Sequence, residues 1–174
     1  MTASEVFESV TGSGSSDFAL LVGILNDRGP WCLIGGLAVN CYVEPVYTLD
    51  ADIVVASSEA DSIKQDLATA GFSIQEFPHS INAQMKGSEL RIQLTTDTRY
   101  QDFLTETKLL EVLGEQVPVA SLSNLVQGKT WAWKDESRRP TKRKKDELDL
   151  MRILEAYPET RSLMPEEISK QVPE

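Results

Sequence analysis

The 174-residue sequence contains only two cysteines, Cys32 and Cys41, and a single histidine, His79. The cysteines lie in apolar surroundings without a CxxC spacing, which argues against a disulfide framework or a cysteine zinc site and leaves reduced, buried thiols. With no second histidine and no GxSxG, a serine hydrolase triad has no support. His79 follows Pro78 in a predicted loop, where a surface role suits it. No apolar run approaches the roughly 20 residues of a membrane helix. The start, MTASEVFESV, lacks the basic opening and unbroken apolar stretch of a signal peptide. No membrane partner and a cytoplasmic location are therefore expected. Positive charge is also scarce, since 17 lysines and arginines against 27 acidic residues leave a net charge of -10. An average surface of that sign repels nucleic acid, so such a partner would need a local basic site.

What is present is ordinary for a globular chain, with 41% hydrophobic and 25% charged residues. The length suffices to bury a core without disulfides or structural metal. One domain over 1–174 is predicted, with a core at about 16–120 and a C-terminal helical part at about 121–174.

Residues 12–16, GSGSS, read as a flexible link into a helix capped by Ser16 or Asp17, whose apolar stripe is Phe18, Leu21, Val22 and Leu25. A phosphate-loop reading fails there because the lysine of a P-loop is missing. Apolar residues 31–34, bounded by Gly29-Pro30 and Gly35, predict a short buried strand, and 37–42 predict a helix ended by Pro45. LDADIVVA at 49–56 alternates and then turns apolar, as a half-buried strand does, and 59–70 predict a helix stopped by Gly71. Strands are expected at 73–77, 82–85, 90–95, 109–112 and 116–119, with turns at Lys86-Gly87-Ser88 and Gly114-Glu115. Residues 121–133 and 145–156 have helical spacing, with Arg138-Arg139-Pro140-Thr141 separating them.

The chemistry gathers early in the chain. Asp50 and Asp52, two apart on a strand, point to one face and can converge on a hard cation. Mg²⁺ favours one or two carboxylates plus phosphate oxygens, so such a strand is a natural seat for a metal-bound triphosphate. Gly35 and Gly36, without side chains, let backbone N–H groups approach phosphate oxygens closely. Each feature alone is common. Their combination across an apolar helix, with Thr48 just before the acidic strand, is much less so.

The segment IGGLAVNCYVEPVYTLDADIVV resembles the first motif of the nucleotidyltransferase superfamily, of the DNA polymerase β type. The likeness is greatest to AbiEii-like (abortive-infection toxin-like) and small antibiotic-type nucleotidyltransferases. VPVASLSNLVQGKTWAW resembles the family's strand leading into a helix with a lysine, here Lys129. RKKDELDLMRIL resembles its closing motif, carried here by Lys145, Asp146, Asp149 and Leu150, so the likeness spans roughly residues 31–156. It implies an α+β fold, a mixed β-sheet core flanked by helices and followed by C-terminal helices. It also implies that Gly35 and Gly36, with Thr48, hold the nucleotide, that Asp50 and Asp52 bind Mg²⁺, that Lys129 meets the triphosphate of an NTP, and that Asp146 sits in the C-terminal part of the site. The implied activity is transfer of NMP from an NTP to a hydroxyl of an RNA, protein or small-molecule acceptor.

Two positions depart from that pattern. Gln93 stands where the family usually has a further carboxylate, and an amide is no base and a poorer metal ligand. Val46 stands where relatives often have arginine. Asp97 and Glu89 lie near Gln93 in sequence as substitutes. The alternative reading is therefore a catalytically degenerate member that binds or regulates, as one side of a toxin–antitoxin pair; a third is an interaction protein without a nucleotide pocket. The basic run containing Arg138, Arg139, Lys142 and Arg143 reads either as a solvated segment or as a steering patch for an anionic acceptor such as an RNA end. Trp131 and Trp133 cannot share a helix face, so one is expected in the core and the other at a cleft or interface. Glu166, Glu167 and the terminal QVPE are expected to form a polar tail.

Overall fold

A computed structural model of the chain describes residues 2–174, apart from the side chains of Ala3 and Val6. Met1, the first residue of the expected single unit, lies outside the described residues. The fold is α+β, a mixed sheet of seven strands with helices on its faces.

Helix α1 (Ala3–Thr11), which periodicity does not predict, is started by a capping box in which Thr2 and Glu5 satisfy each other's backbone N–H groups. Helix α2 (Gly14–Asn26) follows after two residues, so GSGSS is mostly helix rather than link. Its stripe of Phe18, Leu21, Val22 and Leu25 is buried against the sheet, as the spacing predicts.

Strand β1 (Trp31–Ile34) leads through the glycine pair into the short helix α3 (Gly35–Val39), and β2 (Asp50–Val55) returns antiparallel to β1. Helix α4 (Ala60–Thr69) then packs beside α2. The strands β3 (Ser73–Phe77), β4 (Ser80–Gln84) and β5 (Arg91–Thr95) form an antiparallel meander whose last member pairs parallel with β2. After 3-10 turns at Thr98–Thr105, the hairpin of β6 (Thr107–Val112) and β7 (Glu115–Ala120) joins the other side of the sheet, β7 running parallel to β1. The resulting order is β3-β4-β5-β2-β1-β7-β6, which puts β2 and β1 at the centre.

Helices α5 (Leu122–Lys134) and α6 (Pro140–Ala156) pack on each other and on α3. Helix α6 begins five residues earlier than predicted, with Pro140 in its first turn, where proline's missing N–H and preset φ cost nothing. The expected polar tail is instead structured. The short helix α7 (Glu166–Ser169) carries Ile168 into a second apolar cluster with Val39, Val126, Leu150, Ile153 and Val172.

Cys32 is fully buried, and burial pushes its thiol up to about 12, so it stays protonated and inert. Among the described residues no helix is long and apolar enough to cross a membrane.

Candidate functional site

Alternation along β2 buries Ala51 and Ile53 and turns Asp50 and Asp52 to the opposite face, as the sequence predicts. Gly35, at the turn from β1 into α3, lies directly over Asp52. Its φ is +73°, and a Cβ there would sit 2.2 Å from Asp52 Oδ2. Thr48 stands beside Gly36 and accepts a hydrogen bond from the Asp50 N–H at 3.2 Å, which anchors the start of the acidic strand.

The two carboxylates differ in circumstance. Asp50 accepts from Arg91 Nε at 2.6 Å and Lys142 Nζ at 2.7 Å. Burial pushes its carboxyl upward, but these two cations outweigh that and hold it below the usual aspartate range. Asp52 has no hydrogen bond or ion pair to any described residue. Burial raises its affinity for a proton, Asp50 adds to this, and the nearby charges of Lys129, Arg138 and Lys142 oppose it without prevailing.

Behind Asp52, α5 and α6 assemble a buried ion cluster. Lys129 Nζ lies 3.0 Å from Asp146 Oδ1 and 2.7 Å from Asp149 Oδ2, and Arg138 Nε donates to the other oxygen of Asp146 at 2.9 Å. Burial favours neutral Lys129, but Asp149 and Asp146 overcome it and raise the ammonium above its ordinary 10.5. Arg152 donates to Asp149 at 2.6 Å and reaches the loop after α3 through Asn40 and the Glu44 carbonyl. Asn40 also brackets the backbone of Val46, so that position is tied to α6 through Asn40 and Arg152.

Two clefts open on this centre and share Asp52, Gln93 and Arg138. The larger, of about 660 Å³, contains Gly35, Lys129 and Asp146 and is walled by Tyr100, Phe103 and Trp131. Trp131 stacks near Phe103 and lies under the guanidinium of Arg99, 5.0 Å from the ring centroid. Trp133 packs against the second apolar cluster, so Trp131 is the tryptophan at a cleft. His79 is also on the wall of the larger cleft, exposed at the β3–β4 turn. The smaller cleft, of about 510 Å³, lies over β3, β4 and β5 and contains Asp50, Arg91 and Lys142.

The structure thus gathers Gly35, Asp50, Asp52, Lys129, Asp146 and Arg138 around one point. Gln93 is level with Asp52 across the parallel β2–β5 pair. Asp97 caps the turn after β5 and is held by Arg99, while Glu89 is exposed before β5. Among the basic residues, Arg138 and Lys142 turn inward to Asp146 and Asp50, Arg143 bonds the Trp133 carbonyl, and Arg139 remains exposed. Sequence reasoning missed Arg91 and Arg152. The signal for Arg91 was its position two residues before Gln93, on the same strand face.

As for metal, Asp52 offers a free carboxylate and Asp50 a second on the same face. This suits Mg²⁺, which takes one or two carboxylates and fills its shell with phosphate oxygens and water. No group of three or more His, Cys, Asp or Glu side chains that could hold a metal gathers among the described residues. The residues therefore fit a metal that arrives with a phosphate ligand.

The sequence matches no protein-family model and no curated protein. Solved structures do resemble it. The antibiotic-resistance factor ANT(2″)-Ia, in complex with adenylyl-2″-tobramycin, superposes with a TM-score of 0.59 at 13% identity, covering 86% of this chain and 93% of that one. The lincosamide antibiotic adenylyltransferase LnuA, lincomycin-bound, gives 0.54 at 13% identity, covering 78% and 94%. An antigenic nucleotidyltransferase-like protein from Paracoccidioides brasiliensis gives 0.57 at 17% identity, covering 83% and 76%. These likenesses show that the chain has the fold of these nucleotidyltransferase structures.

Proposed function

We propose that the chain is a Mg²⁺-dependent nucleotidyltransferase that moves NMP from an NTP to a hydroxyl acceptor. The observation that carries this reading is Asp52, an unpaired carboxylate packed under Gly35 and backed by Lys129 and Arg138. An unpaired carboxylate held at a cleft costs stability, and a ligand cation compensates it.

Asp50 and Asp52 would hold the metal, which when bound supplies charge neutralisation at the phosphates. Gly35 and Gly36 leave room for phosphate oxygens against the backbone. Lys129, held between Asp146 and Asp149, contributes fixed positive potential from behind the site, and Arg138 and Lys142 stand at its edge. The acceptor oxygen bonds to the α-phosphorus, the bond to the β-phosphate oxygen breaks, and pyrophosphate leaves. The hydroxyl proton goes to solvent, because Gln93 offers no basic atom. Positioning and charge neutralisation carry most of such a transfer.

Asp52→Asn is expected to abolish metal-dependent transfer and to raise the melting temperature by about 2–4 °C at neutral pH. The sign follows from linkage. A carboxyl whose folded pKa is raised detracts from stability once pH exceeds the ordinary aspartate range, and does so no longer in acid. The gain should therefore vanish as pH falls below that range. Calorimetric scans of both proteins against pH, with transfer assays using labelled NTP, check it; unchanged transfer rejects the assignment.

Gln93, level with Asp52, favours a second reading, a degenerate member that binds or regulates, as in a toxin–antitoxin pair. Gln93→Asp separates the two. A degenerate protein shows no transfer and gains about tenfold or more in Mg²⁺ affinity from the added carboxylate, whereas an active enzyme transfers without the change and gains little from it.

A further inference from the structure

Outward from Asp52, the sheet presents a row of side-chain amides. Gln93 on β5 is level with Asp52, Asn82 on β4 is level with Gln93, and Gln75 on edge strand β3 is level with Asn82. Strand partners share a face, so the four side chains form one line across the floor of the smaller cleft. Gln75 and Gln93 are exposed to solvent, whereas Asn82 Oδ1 is buried without a hydrogen-bond partner among the described residues. A buried, unpaired amide is costly unless something completes it.

The charges of this cleft are already matched. Arg91 and Lys142 are bound to Asp50, and Arg138 is bound to Asp146. Apart from Asp50 and Asp52 the cleft contains no carboxylate. With Asp52 given to the metal, a polycation would find no free acidic partner there, and a polyanion no uncommitted cation. Planar amides, each with an acceptor oxygen and two donor hydrogens, suit neighbouring hydroxyls that both donate and accept. The larger cleft, with Gly35 and Lys129, reaches Asp52 from the other side.

We propose that the amide row Gln75, Asn82 and Gln93 is the acceptor site, and that the acceptor is an uncharged, carbohydrate-like polyol. This rests on the transferase reading. NTP would enter by the larger cleft while the polyol lies along the row, with one hydroxyl at Asp52. That oxygen bonds to the α-phosphorus, pyrophosphate departs, and the proton passes to water.

The test is an NMR titration of ¹⁵N-labelled protein. MgATP is read at the Gly35 and Gly36 backbone amides. A panel of neutral mono-, di- and trisaccharides is read at the side-chain NH₂ signals of Gln75, Asn82 and Gln93, with tobramycin as polycationic comparison. The expected result is saturable shifts of the Asn82 and Gln93 signals with a neutral sugar and none with tobramycin. Gln75→Ala, at an exposed edge position, should weaken the sugar response several-fold and leave the response to MgATP unchanged. Shifts at Gly35 and Gly36 with MgATP, but none at the row with any neutral sugar, overturn the acceptor assignment and leave the transferase reading standing. A row that responds to tobramycin alone also overturns it. A sugar response without any MgATP response overturns the transferase reading instead, and with it the acceptor role of the row.

Discussion

Lys129→Met should destabilise the protein by about 3–5 kcal/mol, the usual cost of removing one partner from a buried ion cluster, and at roughly 2–4 °C per kcal/mol for this size the melting temperature should drop by about 10 °C. The lysine side chain is 11% exposed, and its partners Asp146 and Asp149 are 3% and 11% exposed. Without the ammonium, two buried carboxylates retain only Arg138 and Arg152. Because the folded pKa of Lys129 is raised, its contribution is complete below its ordinary 10.5 and is lost only as pH rises through the higher folded value. The deficit should therefore be constant across neutral pH. Chemical denaturation of wild type and variant at several pH values measures it, and a loss under about 1 kcal/mol would show that the cluster is not desolvated. Lys129→Met combined with Asp149→Leu should recover part of the loss, since it removes one stranded charge as well.

Gly35→Ala should cost about 2–4 kcal/mol and abolish nucleotide binding, because two penalties coincide there. The φ of +73° is one that L side chains adopt at a cost of about 1–2 kcal/mol. In addition, the new methyl would sit 2.2 Å from Asp52 Oδ2 and 2.9 Å from Asp52 Cβ. The carboxylate cannot swing clear without moving β2, because its own Cβ is also too close. Gly87→Ala is the control. It has a φ of +82° but nothing within 4 Å of the added carbon, so only the backbone cost of about 1–2 kcal/mol remains. Denaturation curves and MgATP calorimetry on both variants separate strain from collision. Equal losses in the two proteins would show that contact with Asp52 is not the constraint.

Much of the frame was legible because it follows from local periodicity. The stripe on α2, the alternation on β2 and the strand at Ser73–Phe77 needed only spacing and residue type. The misreadings also have local reasons. Thr2 and Glu5 carried a capping-box signal for α1 that the short, polar helix hides from a search for apolar stripes. Pro140 looked like a break, yet proline is at home in a first helical turn. The hairpin between β6 and β7 turns at Leu113 and Gly114, both at positive φ, one residue before the predicted turn, because a nonglycine residue takes the first left-handed position.

By itself the sequence determined that Asp50 and Asp52 share a face and that a glycine pair precedes them, because strand alternation and glycine's missing side chain are local properties. Tertiary structure alone decided which of the two carboxylates is free. Lys142, 92 residues from Asp50 in the chain, closes on that aspartate and leaves Asp52 unpaired. It likewise decided that Gln93 lies level with Asp52, that Asn82 and Gln75 continue the row, and that Lys129 is held by both Asp146 and Asp149. Strand register and helix docking are set by which apolar faces bury together. No spacing rule within one segment relates residues brought together in that way.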